Sequence, residues 1–251
     1  MRFSEPADLP ALKARCAEPE ILRSIDVVRE AALPTAESDR AASFALVADD
    51  ADDADDGCIV AECLFPGRFM LHTNLLRQGF SPAGRARWEA TIGKIFVSRT
   101  GVDFLFVAVP RAARSETRAL KRSGFAFSFD LACVAGSTLP PFSVYQLSLH
   151  DWIARGTCTP TGKRIVARIR QELGRQEEAD DPMRMAFLGA AAEMIAVQNI
   201  TKAVETFNAW ARIAGRTPMR LLSTDPVRVD VGACVIRVDA QDVHVERVFH
   251  A

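Results

Sequence analysis

Long apolar runs, closely spaced cysteines and an excess of either charge are all missing from this sequence. No apolar stretch approaches the roughly 20 residues of a membrane-spanning helix, and the opening residues lack the apolar core of a signal peptide. The 6 cysteines include no C-x-x-C pair, so neither a zinc knuckle nor a disulfide framework is indicated. With 31 basic and 32 acidic residues the net charge is −1, so attraction to nucleic acid or an anionic membrane must be local. We therefore expect a soluble protein made in the cytoplasm, with reduced thiols and no metal site.

The remaining composition is that of a folded chain. Its 251 residues are 49% hydrophobic and 25% charged, which suits one large domain or two small ones. The hydrophobic pattern changes near residue 148, from alternating strands and helices to helices followed by strands. This change predicts two domains, 1–147 and 148–251.

Residues 1–147 carry strand and helix patterns in alternation. The stripe formed by Trp88, Ile92 and Phe96 predicts a helix over 82–98, and Gly124 predicts the left-handed end of a helix over 111–123. The other patterns predict helices over 6–15 and 19–30 and strands over 43–48, 58–65, 68–76, 104–109, 125–134 and 142–147.

Residues 148–251 predict a smaller domain of a different kind. Charged helices are expected over 150–155 and 163–175, followed by a hairpin of two helices over 183–198 and 201–214, each with one apolar face. Alternating apolar and polar residues then predict an antiparallel meander over 219–222, 227–231, 234–238 and 243–249. The fold class predicted for the chain is α+β.

The order of elements in 1–147 resembles the GNAT N-acetyltransferase superfamily. Residues 2–12 resemble its first strand and helix entry, and Arg122-Ser123-Gly124-Phe125 resembles its ending of lysine or arginine, any residue, Gly and Phe. The resemblance implies a mixed, mostly antiparallel sheet flanked by helices. It also implies that strands 68–76 and 104–109 are neighbours and that the sheet splays near the connection 76–84.

The resemblance places a cofactor loop at residues 81–86. In the family, a loop of pattern Gln/Arg-x-x-Gly-x-Gly/Ala at a helix start receives the pyrophosphate of acetyl-CoA on backbone N–H groups. Gly84 and Ala86 match this pattern, whereas Ser81 does not and Pro82 contributes no N–H. The cofactor-binding residues implied by the resemblance are Ser81, Ala83, Gly84, Arg85 and Ala86. The alternative is that Ser81 only caps a core helix.

The groups that would perform the family's chemistry are partly replaced. Counting back from Gly124 puts Ala113 where relatives often carry an Asn that contacts the cofactor, and Leu120 where they carry a Tyr that protonates the departing thiolate. The single tyrosine, Tyr145, follows one strand later. The candidate general base is His72, on the strand before the loop, where it shares a face with Met70 and Asn74. The alternative for His72 is a hydrogen-bonded histidine in a half-buried strand.

Two charged clusters have simpler explanations than a ligand site. The aspartate-rich loop 49–56 lacks calcium-loop spacing, because an EF-hand that started at Asp52 would have Ala54 third and Cys63 twelfth, so a solvated hairpin tip is favoured. The basic cluster on helix 111–123 could bind phosphates, but without interleaved aromatic residues a solvated face or a salt-bridged interface is favoured over nucleic acid. Its members are Arg111, Arg114, Arg118, Lys121 and Arg122.

Two functions are compatible with these sequence features. Ala113 and Leu120 stand where relatives carry Asn and Tyr, and a whole domain is added; both features favour a non-enzymatic structural or assembly protein. Such a protein is expected to bind no cofactor and to bind partner chains mainly through 148–251. This extension resembles virion-associated proteins of tailed bacteriophages, which implies incorporation in a phage particle, and neither a membrane nor nucleic acid is an expected partner. The alternative is an acetyl-CoA-dependent N-acetyltransferase with an atypical active site.

Overall fold

A computed structural model describes nine stretches of the chain. They are residues 2–4, 44–47, 59–73, 82–131, 141–156, 160–173, 181–232, 234–239 and 242–247. The helices predicted over 6–15 and 19–30, the aspartate-rich loop and Ser81 lie outside the described residues. The chain divides into two compact units. The first unit is Met1–Ile92 with Gly101–Asp151, and the second unit is Gly93–Thr100 with Trp152–Ala251.

One seven-stranded sheet forms the centre of the first unit. Its strands are β1 (Arg2–Ser4), β2 (Phe44–Val47), β3 (Ile59–Phe65), β4 (Arg68–Thr73), β5 (Phe104–Pro110), β6 (Ala126–Leu131) and β7 (Phe142–Ser148). Their order across the sheet is β1-β2-β3-β4-β5-β7-β6. Every pair of neighbours is antiparallel except β4 and β5, which are parallel. The predicted mixed and mostly antiparallel sheet is confirmed, and so is the predicted pairing of β4 with β5.

The turn at Gly67 sets the parallel register. Gly67 has φ +79°, and its carbonyl oxygen accepts the N–H groups of Asp103 and Phe104, each at 2.9 Å. This left-handed backbone conformation strains any residue with a Cβ atom, so the turn favours glycine. The contact holds the start of β5 beside the start of β4, where Arg68 is paired with Phe104.

Two helices flank this sheet. Helix α1 (Pro82–Ser98) buries the predicted stripe, with Trp88 and Phe96 at most 2% exposed. Its residues up to Ile92 group with the first unit and those from Gly93 with the second. Helix α2 (Arg114–Arg122) begins three residues later than predicted, since the N–H of Arg111 bonds to the carbonyl of Pro141 and residues 111–113 form a turn after β5.

The end of α2 agrees with the prediction. Gly124 has φ +95°, and the N–H of Phe125 bonds back to the carbonyl of Leu120 at 3.0 Å. Such a left-handed residue stops a helix while its last carbonyls keep partners.

Helices follow β7 and precede a second, smaller sheet. They are α3 (Leu149–Ala154), α4 (Pro160–Leu173), α5 (Pro182–Ala196) and α6 (Ile200–Ala214). The strands are β8 (Arg220–Thr224), β9 (Val227–Asp230), β10 (Cys234–Asp239) and β11 (Asp242–Arg247), antiparallel in the order β11-β10-β9-β8. The predicted hairpin and meander are present.

Helix α5 differs from its prediction of a single apolar face. Almost the whole helix from Arg184 to Ile195 is buried, because α4, α6, β10 and β11 all contact it. The buried guanidinium of Arg184 donates to the carbonyl of Val231 at 2.9 Å, which compensates its burial. Phe187 stacks on Trp210 with ring centroids 5.1 Å apart, so these aromatic residues belong to the core of the second unit.

In the part of the chain that is described, no helix is long and apolar enough to cross a membrane.

Candidate active site

An opening in the first unit lies between the two parallel strands. Strands β4 and β5 pair over three residues, and the last pair is Met70 with Phe106. Beyond it β4 stays paired with β3 as far as Thr73, and β5 stays paired with β7 as far as Pro110. The two halves of the sheet therefore part where the carboxyl ends of both parallel strands lie. Such an edge is where ligands bind in sheets with parallel strands.

His72 lies beside this opening, on the part of β4 beyond its last pair with β5. It is fully buried, and its Nε2 atom is 3.1 Å from Oε2 of Glu62 on β3. Glu62 is 5% exposed, so the hydrogen bond joins two ionisable side chains that are almost completely removed from water. The sequence predicted a half-buried strand at His72, but the residue is fully buried. The reason is that β3 covers one edge of β4 and that His72 shares its face with the core residue Met70.

Glu62 was not identified from the sequence, because its position beside His72 depends on an irregularity in the β3–β4 ladder. The turn through Pro66 and Gly67 joins β3 directly to β4, and its register pairs Glu62 with Met70 and Val60 with His72. Residues opposite each other and two positions apart share a face in an antiparallel pair. A plain count outward from the Pro-Gly turn pairs Glu62 with Leu71 and places it on the opposite face from His72. The register shift between Cys63 and Phe65 brings Glu62 and His72 to one face as diagonal neighbours.

The start of α1 follows β4 in the chain and carries the predicted cofactor residues. Pro82 occupies the first helical position, so its missing N–H costs the helix nothing. Ala83 and Gly84 follow as the second and third positions, whose amide N–H groups point toward the helix N-terminus. Gly84 is buried, whereas Arg85 and Ala86 are exposed in the same turn. A helix N-terminus with an adjacent guanidinium suits a pyrophosphate group.

Ala113 and Leu120, which stand where relatives carry Asn and Tyr, have structural roles. Ala113 is the residue before α2 and makes no side-chain cap, while Leu120 has no exposed surface and anchors α2 on the sheet. Tyr145 is buried on β7, where its ring meets the edge of the Phe127 ring at 5.9 Å. Neither Ala113 nor Leu120 carries a proton donor.

Metal-ligating side chains do not gather into a centre in the described residues. Among them, no cluster of three or more His, Cys, Asp or Glu side chains could hold a metal ion. Cys63 and Cys234 are buried and are not joined in a disulfide.

Comparison with known proteins gives structural neighbours only. No protein-family model matches the sequence, and no curated protein matches it. A mutant of spermidine N-acetyltransferase from Vibrio cholerae is 12% identical, with 61% of this chain and 97% of that chain covered and a TM-score of 0.41. A dodecameric structure of spermidine N-acetyltransferase from the same organism is 8% identical over 61% and 95%, with a TM-score of 0.42. The smu.2055 protein of Streptococcus mutans is 15% identical over 59% and 99%, with a TM-score of 0.35.

Proposed function

We propose that the first unit is an acetyl-CoA-dependent N-acetyltransferase. The observation that carries this proposal is the opening between β4 and β5, which has a helix N-terminus after one strand and a buried His–Glu pair at its side. The sequence favoured a non-enzymatic protein because Ala113 and Leu120 replace two expected groups. Glu62 supplies a carboxylate partner for the predicted base His72 that the sequence pattern did not reveal, and this partner supports the enzyme.

The proposed cofactor-binding residues lie in the first turn of α1. Ala83 and Gly84 would direct backbone N–H groups at the pyrophosphate, and Arg85 would add a positive charge. Gly84 has no side chain, which lets a phosphate approach the backbone closely. Ser81 stays a prediction, with capping of the helix as its alternative role.

His72 is the proposed proton acceptor. Acetyl-CoA supplies a thioester; in the transfer a C–N bond forms to an amine as the C–S bond breaks, and the amine gives up a proton. An acceptor amine that enters between β4 and β5 would meet His72, with Glu62 orienting the imidazole and stabilising its charged form. The enclosure of the pair keeps water away from the proton transfer.

Leu120 does not exclude this reaction. A thiol has a pKa of about 8.5, so a thiolate leaves readily near neutral pH and can take its proton from water. The missing tyrosine therefore lowers the expected rate but does not remove the pathway.

The test is a turnover assay with the full chain. Acetyl-CoA and a panel of primary amines are supplied, the released thiol is measured with a thiol-reactive dye, and the acetylated amine is identified by mass. His72→Gln should lower kcat by about 10²-fold to 10⁴-fold, as for removal of a general base. Glu89→Gln, an exposed change on α1, is the control and should leave kcat unchanged. The enzyme proposal fails if acetyl-CoA does not bind and no amine in the panel is acetylated.

We also propose that the second unit attaches the protein to other protein chains. Ile213 is 83% exposed and Leu222 is 53% exposed. Leu222 lies on β8, an edge strand of the four-stranded sheet, and edge strands with exposed apolar residues favour pairing or packing with another chain. Membership of a phage particle stays a prediction.

A further inference from the structure

A basic groove runs along α2, the helix that follows β5. Its volume is about 530 Å³, within the roughly 300–1,000 Å³ of small-ligand sites. The helix contributes Arg114, Thr117, Arg118, Lys121 and Arg122, and the preceding turn contributes Arg111. All five cationic side chains of the predicted basic cluster therefore line one concave surface.

The charges of this groove are largely available to a ligand. Arg114, Arg118 and Lys121 are exposed, and among the described residues no carboxylate forms an ion pair with any of them. Arg114 and Arg118 are one turn apart, about 6 Å along the helix axis, so they present a row of guanidinium groups. Guanidinium groups bind phosphate oxygens in a bidentate manner, which favours a ligand with more than one phosphate.

The carboxylate that pairs with Arg111 of the groove is also held by a second contact. Asp130 on β6 forms a salt bridge with Arg111 and accepts a hydrogen bond from the hydroxyl of Ser143 at 2.7 Å. It therefore holds Arg111 and Ser143 in place at one end of the groove and does not neutralise the cations on α2.

An aromatic pair lies beside the cations. Tyr145 lines the groove, and Phe127 pairs with it across the β6–β7 ladder with ring centroids 5.9 Å apart. Phe127 is 52% exposed although it is a large apolar side chain. A bulge between Phe127 and Phe129 changes the register, so Phe129 pairs with Val144 and lies on the opposite face. Only Phe127 of the two presents its ring on the face of the groove.

We propose that this groove binds a nucleotide, with its phosphates along α2 and its base against Phe127. A positively charged groove with an exposed aromatic side chain is the arrangement that binds nucleotide units without base-specific contacts. The sequence lacked aromatic residues within the basic cluster, and for that reason nucleic acid was not expected. The β6–β7 pairing supplies the missing aromatic residue from a separate strand. The nucleotide is either free or part of a single-stranded nucleic acid.

The test is fluorescence anisotropy of a labelled uridine octamer RNA with the full chain. Binding should weaken with salt, with a slope of log K against log salt of about −0.7 per phosphate contacted. Arg114→Glu with Arg118→Glu should weaken binding at least tenfold and reduce that slope. Phe127→Ala should weaken binding by about fivefold to 100-fold, the usual effect of removing a stacking ring.

Matched controls are available in the same chain. Phe129→Ala removes a ring of similar exposure from the other face, and Arg212→Glu with Arg220→Glu makes the same charge change on the second unit. Both should bind the RNA within twofold of the unmodified chain. Thermal unfolding of each variant separates loss of binding from loss of fold.

Competition identifies the source of the nucleotide and can overturn the proposal. If ADP displaces the labelled RNA with the same affinity as an unlabelled octamer, the ligand is a free nucleotide. If the octamer binds tenfold more tightly than ADP, the ligand is a single-stranded nucleic acid. The proposal is wrong if Phe127→Ala binds like the unmodified chain, or if polyglutamate displaces the RNA as well as ADP does. Displacement by CoA but not by ADP would also overturn it, because the groove would then extend the acetyl-CoA site.

Discussion

The Nε2 atom of His72 lies 3.1 Å from Oε2 of Glu62, and the two residues belong to adjacent antiparallel strands. Both side chains are almost completely buried, since His72 has no exposed surface and Glu62 is 5% exposed. The hydrogen bond must therefore offset much of the cost of burying both groups. The same enclosure makes the pair a suitable place for proton transfer, so its stability and its proposed chemistry can be tested separately.

Glu62→Ala should destabilise the first unit. The change leaves the buried imidazole without its carboxylate, and we expect the free energy of unfolding to fall by about 2–4 kcal/mol. Urea unfolding followed by circular dichroism measures this, and Glu89→Ala, an exposed change, should stay within about 0.5 kcal/mol. A double-mutant cycle with His72→Ala should give a coupling energy of about 1–3 kcal/mol. Additive effects of the two single changes would contradict the contact.

Gly84→Glu should abolish binding of acetyl-CoA. A carboxylate in the first turn of α1 would block the approach of the pyrophosphate and repel its charge. Ala90→Glu introduces the same side chain at an exposed site farther along α1 and should bind acetyl-CoA normally. Calorimetric titration compares the two, and thermal melting checks that both are folded. Equal affinity of both variants would exclude the first turn as the binding site.

Asp130 should titrate at an unusually low pH. Hydrogen bonds from Arg111 and then from Ser143 lower the pKa of its carboxyl group below 3.8. A pKa lower in the folded chain than in the unfolded chain stabilises the fold above the unfolded pKa, and this contribution is lost as pH falls through the folded pKa. Arg111→Ala should raise the Asp130 pKa toward 3.8, measured by carbon-detected NMR of the carboxyl group. Arg114→Ala should leave it nearly unchanged, and an equal shift in both variants would rule out the specific contact.

Leu222→Lys should weaken self-association or partner binding by the second unit. The change replaces an exposed apolar side chain with a charge, which removes the apolar surface that would pack against another chain. Light scattering coupled to size exclusion measures the mass of the full chain, and Ile213→Lys tests the second exposed apolar site. Thr224→Lys puts the same charge at an exposed polar site of β8 and is the control. If the unmodified chain is a dispersed monomer at every concentration, self-attachment through this unit is refuted.

The residues by themselves determined the elements that depend on neighbours within one or two helical turns. Ile200–Ala214 is helical to within one residue of the prediction and ends at Gly215, which has φ +62° and accepts the left-handed conformation that other residues resist. The stripe of α1 and the end of α2 at Gly124 were predictable for the same reason. These features arise from local backbone preference and from the 3.6-residue period of the helix, and both depend only on residues close together in the sequence.

Only the tertiary structure decided which distant residues meet. The pairing of β4 with β5, from which the opening arises, follows from the family resemblance, but Glu62 beside His72 and Phe127 beside Tyr145 depend on the registers of two antiparallel ladders. The bulge before Phe129 alone sends two phenylalanines of one strand to opposite faces, and a shift of one residue reverses every side chain of a strand. Such registers are chosen by the packing of the whole sheet, because the free energy of each long-range contact must first offset the entropy of closing the intervening chain.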